Sequence, residues 1–371
     1  MKKLVALFMS LAMVLAACSA QVANKTEGVP VAQNTPVAES ETETQTQVTT
    51  NKKVVRWNYG GSGNVLVTIA DEKGYFDELG IAIEPVSATA NANAMALLAT
   101  GKVDVVSNSG TTSPLQQIAS GVDLTIFGGH MVNGAMPVVA KKGTEWKGIE
   151  SFIGQDVAVN PTYFAFTGAV MNLGYDNPLE VVNWKVYSNY DEALAAVQRG
   201  EVKYALMGTE KNYAISQMDD IEIVSWHSEV MPNYSCCRLE CQTSWFNQNK
   251  DTVKNVLKAL IRAQSYFESH KDEAIELHAK KINATPEFVA AYMKNSHYLV
   301  SVDPLKNSVE RAWGILDKTG YLDENAKNIK LSDHLDTSLY EEALKEAEAA
   351  YGKEDPAFYE RAKKFFNEND K

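Results

Sequence analysis

Apolar positions along this chain recur with two alternating periods, and the alternation sets the first structural expectations. Val54-Val55-Arg56-Trp57-Asn58-Tyr59 is a β-branched and aromatic run that predicts a strand. Gly60-Gly61-Ser62-Gly63-Asn64 then predicts a loop that opens a helix over Val65 to Glu72. Gly74-Tyr75-Phe76-Asp77-Glu78-Leu79-Gly80 closes this unit before a second strand, Ile81 to Pro85. A helix over Ala92 to Ala99 follows, ended by Gly101 beyond its last turn, where a left-handed residue is needed. Val103-Asp104-Val105-Val106 predicts a short strand running out into Ser107-Asn108-Ser109-Gly110-Thr111-Thr112. Strands alternating with helices are βα units, which build a largely parallel sheet.

The pattern repeats downstream. Ala96-Leu97-Leu98-Ala99-Thr100-Gly101-Lys102-Val103-Asp104-Val105 is echoed by Ala195-Ala196-Val197-Gln198-Arg199-Gly200-Glu201-Val202-Lys203-Tyr204: in each a helix ends at glycine and a strand starts two residues later. The two strands run out into Ser109-Gly110-Thr111 and Gly208-Thr209-Glu210. One supersecondary unit repeated across a chain of this length predicts two similar lobes. Pro137-Val138-Val139-Ala140 reads as a strand leaving the first lobe, and Asp156-Val157-Ala158-Val159 as the strand opening the second. Tyr234 to Phe246 should carry the chain back, because Asp251 to Phe267 is an amphipathic helix with Val253, Val256, Leu257, Leu260 and Ile261 on one face. Two such crossings make a hinge. The expected divisions are a leader over 1–17, a tether over 18–51, the first lobe over 52–140 and 235–325, the second lobe over 141–234, and a C-terminal helical extension over 326–371.

The N-terminus changes the picture by fixing a compartment. Lys2 and Lys3 precede an uncharged apolar run, Leu4 to Leu15, of signal-peptide length and too short to span a bilayer. It ends in Leu15-Ala16-Ala17-Cys18, which resembles a bacterial lipobox, so Cys18 is expected to carry the lipid anchor that holds an extracytoplasmic protein on the bacterial membrane. Ser19 to Asn51 has no aromatic residue and too little apolar surface to offset its ordering entropy. These 33 residues form an expected tether, spanning roughly 30 Å as a flexible coil.

Composition narrows function by exclusion. The 371 residues are 45% hydrophobic and 22% charged, an ordinary globular balance. The formal net charge of -12 opposes a nucleic-acid partner, because phosphate binding needs clustered Lys and Arg. The sequence holds no HExxH, P-loop or G-x-S-x-G motif, and neither a metal nor a cofactor is expected.

Gly74-Tyr75-Phe76 with Gly80-Ile81, the block Leu97 to Ser109, the crossing Pro137 to Gly143 and the return to a long helix after Cys237 resemble the nitrate/sulfonate/taurine-type solute-binding proteins. The same superfamily includes thiamine-pyrimidine synthases and binders of thiamine precursors. The resemblance covers residues 54–325 and implies the type II periplasmic-binding-protein fold, an α/β architecture of two lobes with a ligand cleft between them. It further implies a monomer that captures a small polar or anionic organic solute by lobe closure and delivers it to an ABC permease in the membrane. Three alternatives stay open: a binder of a planar heterocycle such as a thiamine pyrimidine or a riboflavin-like ring, a pyrimidine-synthase-like enzyme, and a lipoprotein that presents ligand to a sensor.

Ligands of open α/β sheets sit beyond the carboxyl ends of the strands, where loops present backbone N–H groups at helix N-termini. The candidate contacts are therefore Ser62 and Asn64, then Ser107, Asn108, Ser109 and Thr111, then Asn160, Thr162, Tyr163 and Phe164, then Thr209 and Glu210. His130, after Gly128-Gly129, joins them as a donor, and Arg238 as the nearest cation. Trp57, Tyr59, Phe166 and Trp226 lie near expected strand ends and would favour a planar ligand if they faced the cleft. Cys237 belongs to the Cys236-Cys237-Arg238 step, placed at the hinge and the cleft mouth. Only three cysteines remain once Cys18 is lipidated. Neighbouring Cα atoms lie about 3.8 Å apart, short of the roughly 4.4 Å a relaxed disulfide needs. Cys236, Cys237 and Cys241 are expected as free thiols.

Overall fold

The computed structural model describes residues 52–60, 63–88 and 93–371. The leader, Cys18, the tether and Ser62 lie outside the described residues. Eleven described strands form two sheets. They are β1 (Lys53–Asn58), β2 (Ile81–Pro85), β3 (Val105–Val106), β4 (Leu124–Gly134), β5 (Pro137–Lys141), β6 (Asp156–Ala158), β7 (Asn183–Trp184), β8 (Tyr204–Leu206), β9 (Ile221–Trp226), β10 (Cys237–Gln242) and β11 (Tyr298–Val300). The first sheet has the order β11-β4-β10-β3-β1-β2 and the second β7-β6-β8-β5-β9.

The parallel core of each sheet follows from the βα units. β1 pairs in parallel with β2 and β3, and β6 with β7 and β8. The helix Val65–Glu72 forms where the hydrophobic pattern places it, with Asn64 capping it: its side chain accepts from the N–H groups of Leu66 and Val67. Gly101 lies at φ +68, the left-handed conformation expected after the helix Ala94–Ala99.

Neither sheet is parallel throughout. β10 is antiparallel to β3 and β4, β11 is antiparallel to β4, and β5 is antiparallel to β8 and β9. A parallel neighbour requires a long crossover connection. β4 instead runs into β5 through Ala135 and Met136 alone, so the chain leaves one sheet and enters the other with no helix between. Pro137–Lys141 is therefore an inner strand of the second sheet, which corrects the expectation that it leaves the first lobe.

The second crossing follows β9 and the helix His227–Val230, and reaches β10 through residues 231–236. The two crossings are tied together where the His227 N–H donates to the Met136 carbonyl at 3.0 Å. Each contains a non-glycine residue with positive φ, Ala135 at 47° and Asn233 at 49°. The C-terminal helices complete the first lobe. Ser338–Tyr351 buries Leu339, Tyr340, Ala343, Leu344 and Ala347 in the cluster that also holds Val55 and Trp57 of β1 and much of the helix Lys250–Ser269. The segment expected as an extension is thus a structural layer of the first core.

His227 supports a prediction of its own. Its ring is fully buried, edge-on to Tyr234 at 4.3 Å, and neither ring nitrogen has a hydrogen-bond partner. Burial brings its pKa down to about 3. The folded value lies below the unfolded one, so the stability contribution is present above the unfolded pKa and is lost as pH falls through it toward 3. Relative to His227→Phe, which keeps a ring but cannot ionise, the native protein is expected to lose about 1.4 kcal/mol per pH unit below roughly 6.5. Urea unfolding of both proteins at pH 7.5 and 5 should show that gap change by about 2 kcal/mol. A gap independent of pH would refute it.

Candidate functional site

The loops at the strand ends of both sheets face one cavity of about 1010 Å3. The first lobe contributes Gly60 and Gly63 after β1, and residues 108–113 after β3. The second contributes Asn160, Thr162 and Tyr163 after β6, and Gly208, Thr209 and Glu210 after β8. Across it, the Thr112 hydroxyl donates to the Thr162 carbonyl at 3.0 Å, so loops of the two lobes touch directly.

Of the expected contacts, Asn108, Ser109, Thr111, His130, Asn160, Thr162, Tyr163, Thr209, Glu210 and Cys237 line this cavity. Several have polar atoms already engaged. Asn108 donates to the carbonyls of Tyr59 and Gly63, at 3.2 and 3.1 Å, and accepts from the Cys237 thiol at 3.2 Å. The Thr111 hydroxyl bonds the Ser235 carbonyl, and the Thr209 hydroxyl the Gly134 carbonyl. Asn160 folds back on Thr162, accepting from its N–H at 3.0 Å and its hydroxyl at 2.9 Å.

Asn64, Ser107, Phe164 and Arg238 do not line it, and each has an internal role. The Ser107 hydroxyl accepts from Trp57 Nε1 at 3.0 Å and from Asn64 Nδ2 at 3.2 Å, which pins the first loop to the third strand. Asn64 spends its oxygen on the helix cap. Phe164 is fully buried and stacks on Tyr234 at 4.4 Å. Arg238 is fully buried under the first sheet, donating to the carbonyls of Asp303 at 2.7 Å and Met131 at 2.8 Å. The anticipated cation is a structural strut between β10, β4 and the segment after β11.

His130 reaches the wall from β4. Its ring is buried, neither nitrogen makes a hydrogen bond of ordinary geometry, and burial lowers its pKa to about 3, so it is neutral at physiological pH. Cys236 and Cys237 both face the cavity as free thiols, their sulfurs 3.8 Å apart. The Cys236 contact lowers the Cys237 pKa against the opposing effect of burial, while the Cys236 thiol is pushed up. Cys241 is a third free thiol, buried away from the cleft.

Aromatic residues line the cleft, but only Tyr163 belongs to the set anticipated. Trp57, Phe166 and Trp226 are used elsewhere: Trp57 on Ser107, Phe166 stacked on Phe152 at 5.7 Å, and Trp226 stacked on His297 at 4.9 Å. The rings that do face it are Tyr163, Tyr190, Tyr234, Phe288, Tyr292 and Tyr298. The Tyr163 and Tyr190 hydroxyls bond each other at 2.8 Å across two loops of the second lobe, and burial holds both phenols protonated. Tyr190 follows β7, a two-residue strand with too short an apolar run to be read from sequence. Phe288, Tyr292 and His278 come from the helices Pro286–Met293 and Lys271–Ile282, where no local pattern marks a residue as facing a cleft.

A family profile described as NMT1/THI5 like matches residues 64–274. No curated protein matches the sequence. Among solved structures, the periplasmic aliphatic sulphonate binding protein SsuA from Escherichia coli is similar with a TM-score of 0.60 at 15% identity, over 76% of this chain and 91% of that one. A putative periplasmic sulfonate-binding protein SsuA from Methylobacillus flagellatus KT gives 0.62 at 18% identity, over 80% and 95%. The periplasmic nitrate-binding protein NrtA from Synechocystis PCC 6803 gives 0.60 at 15% identity, over 79% and 89%. At these identities the likeness establishes the fold, two α/β lobes of the periplasmic-binding-protein type.

Proposed function

The chain belongs to the NMT1/THI5-like family, and from that premise we propose that it is the extracytoplasmic solute-binding component of an ABC importer. Its two lobes close on one small polar organic solute per chain and release it to a membrane permease, with no bond made or broken. The observation that carries this reading is the cavity of about 1010 Å3 built from equivalent strand-end loops of both lobes. A cleft shared by two lobes between which the chain passes through short crossings can couple binding to closure. Sulfonate- and nitrate-binding proteins with this fold support the same role.

Native mass spectrometry of protein purified without refolding tests it by catching a bound solute at one per chain, and solution scattering should show compaction when that solute is added back. A scattering profile unchanged at saturation would reject closure even if binding survived. The anchor is part of the proposal. Cys18→Ser should release the protein from membranes or leave an unprocessed precursor, whereas normal processing with full membrane retention would remove the anchor from the account.

A further inference from the structure

We propose that the solute of this cleft carries a protonated nitrogen, held by the Glu210 carboxylate inside a ring of tyrosines. The inference rests on the solute-capture reading and adds the charge of the ligand. It begins with the formal charges on the wall. Among the described residues, no lysine or arginine lines the cavity, and Glu210 is its one carboxylate. Arg238 is turned away into the first lobe. His130 is neutral, and His278 lies with Nδ1 3.2 Å from the Thr68 hydroxyl.

Glu210 has no internal counter-ion. It makes no ion pair or side-chain hydrogen bond among the described residues, and the adjacent Lys211 is paired with Asp191 at 2.6 Å. Gly208 leaves room for both the carboxylate and the Tyr190 ring: a Cβ there would meet Tyr190 Cε2 at 2.5 Å and overlap the Glu210 oxygens. The negative charge is felt by Tyr163, Tyr190 and Tyr292, whose phenols it helps to keep protonated. A half-buried carboxylate among aromatic rings attracts an organic cation twice, by its charge and through the ring faces. Positive potential does reach the cleft at the N-termini of the helices Thr112–Ala119 and Phe164–Asn172, but as partial charges only. A carboxylate or sulfonate on the same ligand can use those N–H groups. It does not replace the cation that Glu210 lacks. The cavity also sits at the top of the ~300–1,000 Å3 range of sites for drug-sized molecules, much larger than a bare oxyanion fills.

Isothermal titration calorimetry with benzamidine and choline as cations, taurine as a zwitterion, and methanesulfonate and nitrate as anions tests the proposal on the full mature protein. At least one nitrogen cation should bind at one per chain, and Glu210→Gln should weaken it at least tenfold without moving the ligand-free thermal midpoint. Methanesulfonate or nitrate binding at one per chain with an affinity that Glu210→Gln leaves unchanged or improves overturns it. If none of the five probes binds, the mass of the co-purified solute decides: a basic nitrogen supports the proposal, and a solute without one overturns it while leaving solute capture intact. Absence of any bound solute together with no compaction in cell extract removes the capture reading itself.

Discussion

Arg238→Ala is expected to cost about 3–5 kcal/mol of folding stability, because it removes the donor to two carbonyls and opens a cavity where a long, fully buried side chain stood. Arg238 spans two carbonyls, those of Asp303 and Met131, and both lose their donor when the guanidinium goes. It also faces buried acids. Asp303 is held well above the usual carboxylate range by burial and by its contact with Asp370, and Glu240, with neither oxygen hydrogen-bonded, is pushed up by burial. These acids can remain neutral, so the main loss is the two charge-assisted bonds and the space left behind. Arg238→Met keeps most of the volume and should recover part of the loss. Urea midpoints of the two variants check the order. If Arg238→Ala instead kept native stability and lost only solute affinity, Arg238 would be a ligand contact after all.

The role of Arg238 shows where sequence reasoning fails and why. The β1–helix–β2 unit, the left-handed Gly101 and the helix after Asp251 were legible because each depends on neighbours in sequence: apolar period, cap residue, required φ. The antiparallel strands β4, β10 and β11 were not. Their partners lie more than a hundred residues away in places, and an apolar run reads the same whichever way its neighbour points. Arg238 sits on such a strand, opposite Gly129, and nothing local tells whether its long side chain goes to the cleft or beneath the sheet.

The cleft divides the same way. Residues 108–113 and 160–163 and Gly208 to Glu210 follow strands, and the rule that ligands meet strand ends found them. That rule also selected Asn64 and Ser107, which bond each other inside the lobe, because a polar loop residue can serve a cap as well as a ligand. Tyr292, Tyr298 and His278 were not anticipated because the chain folds back over the first sheet before they reach the wall. Glu210 was found by position, but its meaning came only with the charges around it. An acidic side chain in a polar loop is unremarkable until every neighbouring cation is seen to be committed elsewhere.

Gly129→Ala is expected to cost about 3 kcal/mol or more, at the upper end for adding a single methyl group to a packed interior. Gly129 lies in β4 and its N–H donates to the Val302 carbonyl at 2.7 Å, which brings the segment after β11 onto the strand. An ideal Cβ there would stand 2.5 Å from the Asp303 carbonyl oxygen, 2.6 Å from that of Ser301 and 2.5 Å from Arg238 Nη1. Two of these three are backbone atoms, so no rotamer change relieves the overlap and Ser301 to Asp303 must move as a unit. That motion also pulls the Asp303 carbonyl from Arg238, so the cost should not add fully to that of Arg238→Ala. Gly128 provides the control. Its Cβ would meet Leu239 Cδ1 and Leu257 Cδ2 at 3.0 Å, flexible methyl groups that can turn aside, and the Val302 carbonyl at 3.2 Å. Gly128→Ala should therefore cost about 1 kcal/mol. Chemical unfolding of the two single variants decides, and equal losses would mean that the close approach of the 301–303 segment is not what fixes glycine at 129. Because His130 is the next residue on the strand and lines the cleft, displacement at Gly129 should also weaken solute binding, while Gly128→Ala leaves it near native.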